Sequence, residues 1–250
     1  MNGLALIAAG SAEIFLKYSF HREAEGVLEK KSYLLDLKFA FEYLRSRKIL
    51  AFFFIFGAVA NFVFMPMLLV VIPYINYHII KVMGIQLSLI QASCAAGTII
   101  GAVLLAVKKR LHNIFLKGFF VLFGIQALII MTWTFPKLPF LAEQGKWGVT
   151  IGFMALLIVF GALNISQNVP MITFFQLQIP RELQARIFGV FISAIFIVTP
   201  LGMWVYGFLL EKIGWGYIVT VSGLLMLLLA FFAGRHRHFV EFVRSLGDND

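Results

Sequence analysis

Asn164, Gln167 and Asn168 fall on one face of a helical register, just ahead of Pro170. Carboxamides of this kind can grip a neutral ligand through hydrogen bonds, or use the same bonds to grip a neighbouring helix. In hydrocarbon each needs a partner, so this face is expected to point into a bundle or a cavity. Asn61, Gln91 and Gln126 are single polar residues in other apolar stretches and are further candidates for a substrate path. Glu13 is the one acidic residue inside any candidate span. A charge at mid-membrane costs ~2.5–3.5 kcal/mol on insertion scales, so a retained one usually has a partner or a task. Two readings of Glu13 stand: a protonatable coupling group, or a partner for Lys17, which lies one helical turn later. Ser93, Gly97 and Gly101 repeat every four residues, the spacing of small residues that lets helix backbones approach closely. Static packing and a sliding or hinging face are both open for them.

Enzyme chemistry finds no footing. No spacing suits a metal site, no glycine-rich loop suits a phosphate, and no Ser/His/Asp set can be assembled by spacing. His78 and His112 are isolated, while His236 and His238 are flanked by arginines. An intramembrane enzyme needs paired acids, histidines or a Ser/Lys set within the spans, and only Glu13 is on offer. No enzyme activity, metal or cofactor is therefore expected.

The elements that must position these residues are membrane helices. The 250 residues are 61% hydrophobic and 13% charged, with a mean hydropathy of +0.92. Soluble domains carry about 25% charged residues. Six stretches free of Asp, Glu, Lys and Arg reach the ~20 residues a span requires: Ile49–Ile80, Val82–Val107, Gly118–Pro136, Trp147–Pro180, Ile187–Leu210 and Ile213–Gly234. None alternates like a barrel strand. Residues 1–20 read as a shorter span or an interfacial segment, and they lack the basic start of a cleaved signal peptide. Pro66 and Pro200 are expected to kink their helices, Pro73 to end the first, and Pro170 to interrupt a run too long for one straight helix. Lone Cys94 lies within an apolar run and carries no message about redox compartment.

Seventeen of the 21 Lys and Arg residues fall on one side of this topology. The other side holds only Lys81, Lys137, Lys146 and Lys212. The positive-inside rule makes the first side cytoplasmic, together with the tail 235–250. The net charge of +9 then reflects anchors beside an anionic leaflet rather than a nucleic-acid surface. Within the connector 21–47, Leu34, Leu37, Phe41 and Leu44 share a stripe, opposite Lys38, Glu42 and Arg45. That pattern suits an amphipathic helix on the inner membrane surface, or one packed on protein.

A span, a long amphipathic connector and six further spans resemble the second half of a major facilitator transporter, closest to the bacterial macrolide-efflux and siderophore-export branch. Four segments carry the resemblance. Residues 2–15 (NGLALIAAGSAEIF) look like the end of that family's sixth span. Residues 93–110 (SCAAGTIIGAVLLAVKKR) are similar to its eighth span and following basic loop. Residues 176–190 (QLQIPRELQARIFGV) look like its loop between the tenth and eleventh spans, and residues 200–214 (PLGMWVYGFLLEKIG) like the end of the eleventh. The family's Gly- and Asp-containing basic loop belongs to its first half, leaving only an echo at Lys108–Arg110.

The resemblance implies an all-α membrane protein with a six-helix bundle over 48–234, the C-terminal half of the major facilitator fold. It implies proton-coupled efflux of amphipathic molecules such as macrolide-like drugs, from the inner membrane of a bacterium. It further implies that Arg181, Glu182 and Arg186 close the cytoplasmic side through charge pairs. The partners expected are membrane lipid, a small amphipathic substrate and an N-terminal six-helix half in the same or another chain, without which the 250 residues are not expected to transport. The high aromatic content suits apolar cargo, with lipid-facing phenylalanines expected to account for most of it. The rival reading is a membrane scaffold or partner-binding subunit with no transport role.

Overall fold

Backbone N–H and C=O groups find no water in a bilayer, so an apolar segment crossing it satisfies them internally as a helix. The computed structural model of the protein describes residues 42–108, 110–137, 145–237 and 239–240, and every regular element among them is helical. Glu13, the segment 1–20, the connector up to residue 41 and the tail beyond residue 240 lie outside the described residues. The elements are α1 (Lys48–Pro66), α2 (Gly84–Val107), the short α3 (Arg110–Lys117), α4 (Phe119–Thr132), α5 (Gly145–Gln178), α6 (Arg181–Lys212) and α7 (Trp215–Arg235). All but α3 belong to six helical stretches long and apolar enough to cross a membrane, which makes this a multi-pass membrane protein.

Two expectations about proline need correcting. Pro73 does not end the first span. The helix widens into π-helical turns over Met67–Val71 and Tyr74–Ile79, and the stretch runs unbroken from Lys48 to Ile79. Nor does Pro170 interrupt α5, which is continuous over 34 residues. A proline removes one donor, whereas leaving the helix inside hydrocarbon would strand several groups, so the ladder is kept or widened rather than broken. At ~1.5 Å per residue α5 is about 51 Å long, so it tilts or extends beyond a core of about 30 Å. The α6 helix likewise outgrows its charge-free run, taking in Arg181, Glu182 and Arg186 at one end and Glu211 and Lys212 at the other.

The spans pack chiefly in three pairs: α1 with α6, α2 with α5, and α4 with α7. Counted as spans, that is first with fifth, second with fourth and third with sixth. Exchanging each span with the one three places along leaves this pattern unchanged. A short sequence echo follows the same exchange: residues 56–66 read FGAVANFVFMP and residues 160–170 read FGALNISQNVP. The partners obey it too. Gly57 faces Phe191 of α6, and Gly161 faces the backbone of Cys94 and Thr98 on α2. Three spans per unit means the second unit enters from the opposite side, so the two units run with inverted topology.

Close approach in two of the pairs depends on glycine. A Cβ on Gly97 would overlap the Ile158 backbone of α5, and one on Gly161 would overlap the Cys94 carbonyl of α2. Between α1 and α6, a Cβ on Gly202 would lie 2.6 Å from the Phe62 carbonyl oxygen and 2.9 Å from Pro66 Cγ. Phe62 is the residue whose i+4 donor Pro66 removes, so the freed carbonyl is covered by the bare backbone of Gly202.

Most of the described phenylalanines are buried or half-buried, which corrects the expectation that lipid-facing rings account for most of the aromatic content. Among the described phenylalanines only Phe196, Phe208, Phe231 and Phe232 are exposed. Phe53, Phe56, Phe119, Phe120 and Phe123 instead form an interlocked cluster joining α1 to α4, with Phe56–Phe120 at 4.8 Å and Phe56–Phe123 at 5.0 Å between centroids, both edge-on. Leu44, from the described end of the connector, is buried against this core. At the end away from most of the basic residues, Lys137 sits 4.8 Å from the Trp215 ring centroid and Lys146 Nζ donates to the Lys81 carbonyl at 2.5 Å. Exposed Tyr77, Trp147 and Tyr217 lie near this end, as aromatic residues do at a membrane interface.

Candidate functional site

The helix pairs leave a large cleft between α1 and α5, with α4 as its floor and the first half of α6 as its side. Its volume is about 550 Å³, within the range of small-molecule sites. The α1 wall carries Phe53, Phe56, Asn61 and Phe64, and the facing α5 wall carries Asn164, Gln167, Asn168, Phe175 and Gln176. The floor adds Phe119, Phe123 and Gln126, and α6 contributes Phe188 and Phe191. Among the described residues no lining side chain is charged. The arrangement can solvate an apolar, aromatic surface on rings and meet a few polar groups with carboxamides. It offers neither a nucleophile nor an acid–base pair.

Depth follows from helical rise. Asn61 lies 13 residues beyond Lys48 and Gln167 lies 14 before Arg181, so each is ~20 Å from the nearest basic flank of its helix. Gln126 lies nine residues beyond Lys117, or ~13 Å. All three sit well inside a core of about 30 Å.

Five of the six polar residues singled out from the sequence therefore meet around one cavity. Asn61 donates Nδ2 to the Gly57 carbonyl at 2.8 Å, one turn back in its own helix. Asn168 donates Nδ2 to the Asn164 carbonyl at 3.0 Å and to Asn164 Oδ1 at 2.9 Å. Gln126, fully buried, donates Nε2 to the Phe160 carbonyl of α5 at a long 3.4 Å. Gln126 Oε1 and Gln167 Nε2 are both buried with no hydrogen-bond partner. The sixth, Gln91, is exposed on α2 and does not line the cleft.

The remaining residues lie elsewhere. Ser93 is buried on the α2 face turned to α5, its hydroxyl donating to the Ile90 carbonyl at 2.6 Å, with Gly97 and Gly101 following it along the same contact. Arg181, Glu182 and Arg186 are exposed in the first two turns of α6. Glu182 occupies the first turn, where the helix dipole favours a negative charge by about 0.3–1 kcal/mol. Charge at that position thus has a structural use besides gating.

Two features escaped the sequence reading. The phenylalanine walls were missed because a ring that faces a cavity and one that faces lipid look alike in a hydropathy pattern. The F-G-A echo at 56–58 and 160–162 was legible and marks α1 and α5, the helices that flank the cleft, as counterparts. Gln184, which the sequence did not single out either, donates Nε2 to the Gln176 carbonyl at 2.6 Å and to the Ile179 carbonyl at 3.0 Å. It satisfies the last carbonyls of α5 and fastens the α5–α6 turn. Comparisons with known protein families, with curated proteins and with solved structures return no match.

Proposed function

We propose that this chain is one half of a secondary active transporter of the major facilitator kind, exporting amphipathic small molecules by proton antiport. The observation that carries the reading is the carboxamide- and phenylalanine-lined cleft between α1 and α5, the two helices related by the internal exchange. Transporters built from inverted repeats bind substrate near mid-depth at the junction of their repeats. The pairing of first with fifth, second with fourth and third with sixth span adds support, as does the sequence echo. The two least buried spans, α6 and then α2, are also counterparts under the exchange, a face suited to a second six-helix bundle.

In this reading the basic ends of the helices lie in the cytoplasm of a bacterial cell, and the C-terminal tail lies with them. The Arg181–Glu182–Arg186 turn closes the cytoplasmic side. Coupling acids come from the other half or from Glu13. Dye efflux tests the proposal, using a panel of fluorescent amphipathic dyes and cells expressing the 250 residues with and without a complementary six-span bundle. Efflux that needs both bundles and collapses with a protonophore is the expected result. Robust proton-dependent efflux by the 250 residues alone would overturn the half-transporter reading. Co-purification of a stoichiometric partner that is no transporter half would favour the scaffold alternative.

A further inference from the structure

The cleft's carboxamides are not equivalent. Asn61 and Asn168 spend a donor on a backbone carbonyl of their own helix, and Asn164 Oδ1 is taken by Asn168. Gln126 and Gln167 differ: each is more than nine-tenths buried, lines the cavity and leaves one polar atom unpartnered. The bare atom of Gln126 is an acceptor, because its Nε2 is directed at the Phe160 carbonyl, which can only accept. The bare atom of Gln167 is a donor. A buried polar atom without a partner is destabilising. A cavity wall that holds one of each sign is matched by a ligand that supplies the opposites.

We propose that the cleft binds a neutral, largely aromatic molecule that donates a hydrogen bond to Gln126 Oε1 and accepts one from Gln167 Nε2. No described lining residue carries a charge that would balance an organic cation or anion, so these walls favour a neutral ligand. Phe160, which anchors Gln126, precedes Gln167 by seven residues on the same helix, about 10 Å of rise. Their anchoring positions on α5 are thus about two helical turns apart, which favours a ligand whose donor and acceptor are separated by an aromatic frame over one that carries both on a single group. Rings on α1, α4, α5 and α6 supply the intervening contact. The inference rests on reading the cleft as the substrate path, and it specifies which cargo that path selects.

The test is direct binding to the 250-residue chain in lipid nanodiscs, corrected for partition into empty discs. The probe is 6-propionyl-2-naphthol, with a hydroxyl donor and a ketone acceptor across a naphthalene. Its methyl ether lacks the donor, 6-propyl-2-naphthol lacks the ketone, and 6-hydroxy-2-naphthoate carries a charge. Roughly tenfold weaker binding is expected for each deletion, because a site built to hydrogen-bond a group rejects the analogue that lacks it. The anion is expected to bind weakest. Gln126→Leu should erase the discrimination against the ether and leave that against the propyl compound. Gln167→Leu should do the reverse. Comparing analogues on the unmodified chain keeps the test valid if a variant misfolds. Equal affinity across the neutral series, tighter binding of the anion, absence of binding, or discrimination unchanged in both variants would each overturn the proposal. Failure of the transporter reading has a separate signature: naphthol binding as expected, with no efflux when a complementary bundle is present.

Discussion

Replacing Gly97 by alanine puts a methyl carbon into the contact that fixes α5, and with it Asn164, Gln167 and Asn168, against the rest of the bundle. The added Cβ would lie 2.7 Å from the Ile158 carbonyl carbon, 2.8 Å from its Cα and closer still to its oxygen. All three atoms are backbone, so no side chain can swing away. Carbon atoms touch at about 3.5–4.0 Å, so the helices must part locally by roughly 1 Å, and such a gap forfeits about a quarter to a half of each dispersion contact. Overpacking of this kind costs about 1–3 kcal/mol, and dispersion is much of what holds membrane helices together. Gly189→Ala and Gly207→Ala are the matched controls on α6, where an added Cβ meets nothing within 4 Å. They gain up to about 1 kcal/mol in helix propensity. Gly97→Ala shares that gain, so it should fall below these controls by the overpacking cost alone, about 1–3 kcal/mol, in detergent-induced unfolding followed by circular dichroism. Equal midpoints for Gly97→Ala and Gly189→Ala would refute the close-packed α2–α5 contact and the placement of α5 that depends on it.

Three further outcomes are expected. Lys137→Gln removes the cation over Trp215 and should lower stability by about 0.5–1 kcal/mol, visible as a changed Trp emission on unfolding; an unchanged midpoint would show that the contact contributes nothing. Gln184→Leu strips a donor from the Gln176 and Ile179 carbonyls and should cost about 1 kcal/mol; its sharper readout is faster amide exchange confined to the last turn of α5 and the start of α6. A fluorescent protein fused after Asp250 should fluoresce and an alkaline phosphatase fused there should stay inactive in a bacterial host; the opposite pattern would invert the proposed orientation.

The spans were legible because the solvent imposes them. Six charge-free runs predict six helices whose ends differ from the structure by a few residues, the largest shift being the α6 extension through charged flanks. A long charged side chain can bury its stem while its head reaches the interface, so a charge-free window underestimates such a helix. Pro73 and Pro170 were misread for a different reason: within hydrocarbon a helix loses less by keeping or widening its ladder around one missing donor than by ending. What a proline does also depends on distant residues, since the Phe62 carbonyl that Pro66 frees is covered by Gly202, 136 residues beyond Pro66.

Residue type and helical phase indicated, from the sequence alone, carboxamides that face protein or a cavity rather than lipid, which holds for the five at the cleft but not for Gln91, and which of them share a face. Gln91 shows how far phase reaches: it precedes Ser93 by two residues, ~200° of rotation, and so lies opposite the face that Ser93, Gly97 and Gly101 press against α5. Only the tertiary structure decided that Asn61, Gln126 and the α5 cluster meet around one cleft. It also decided that the rings beside them line that cleft, and that Gln126 and Gln167 each keep one atom bare. Phase and hydropathy are properties of one helix, whereas a cavity is what several helices leave unfilled between them, and its walls are set by crossings between residues far apart in the chain.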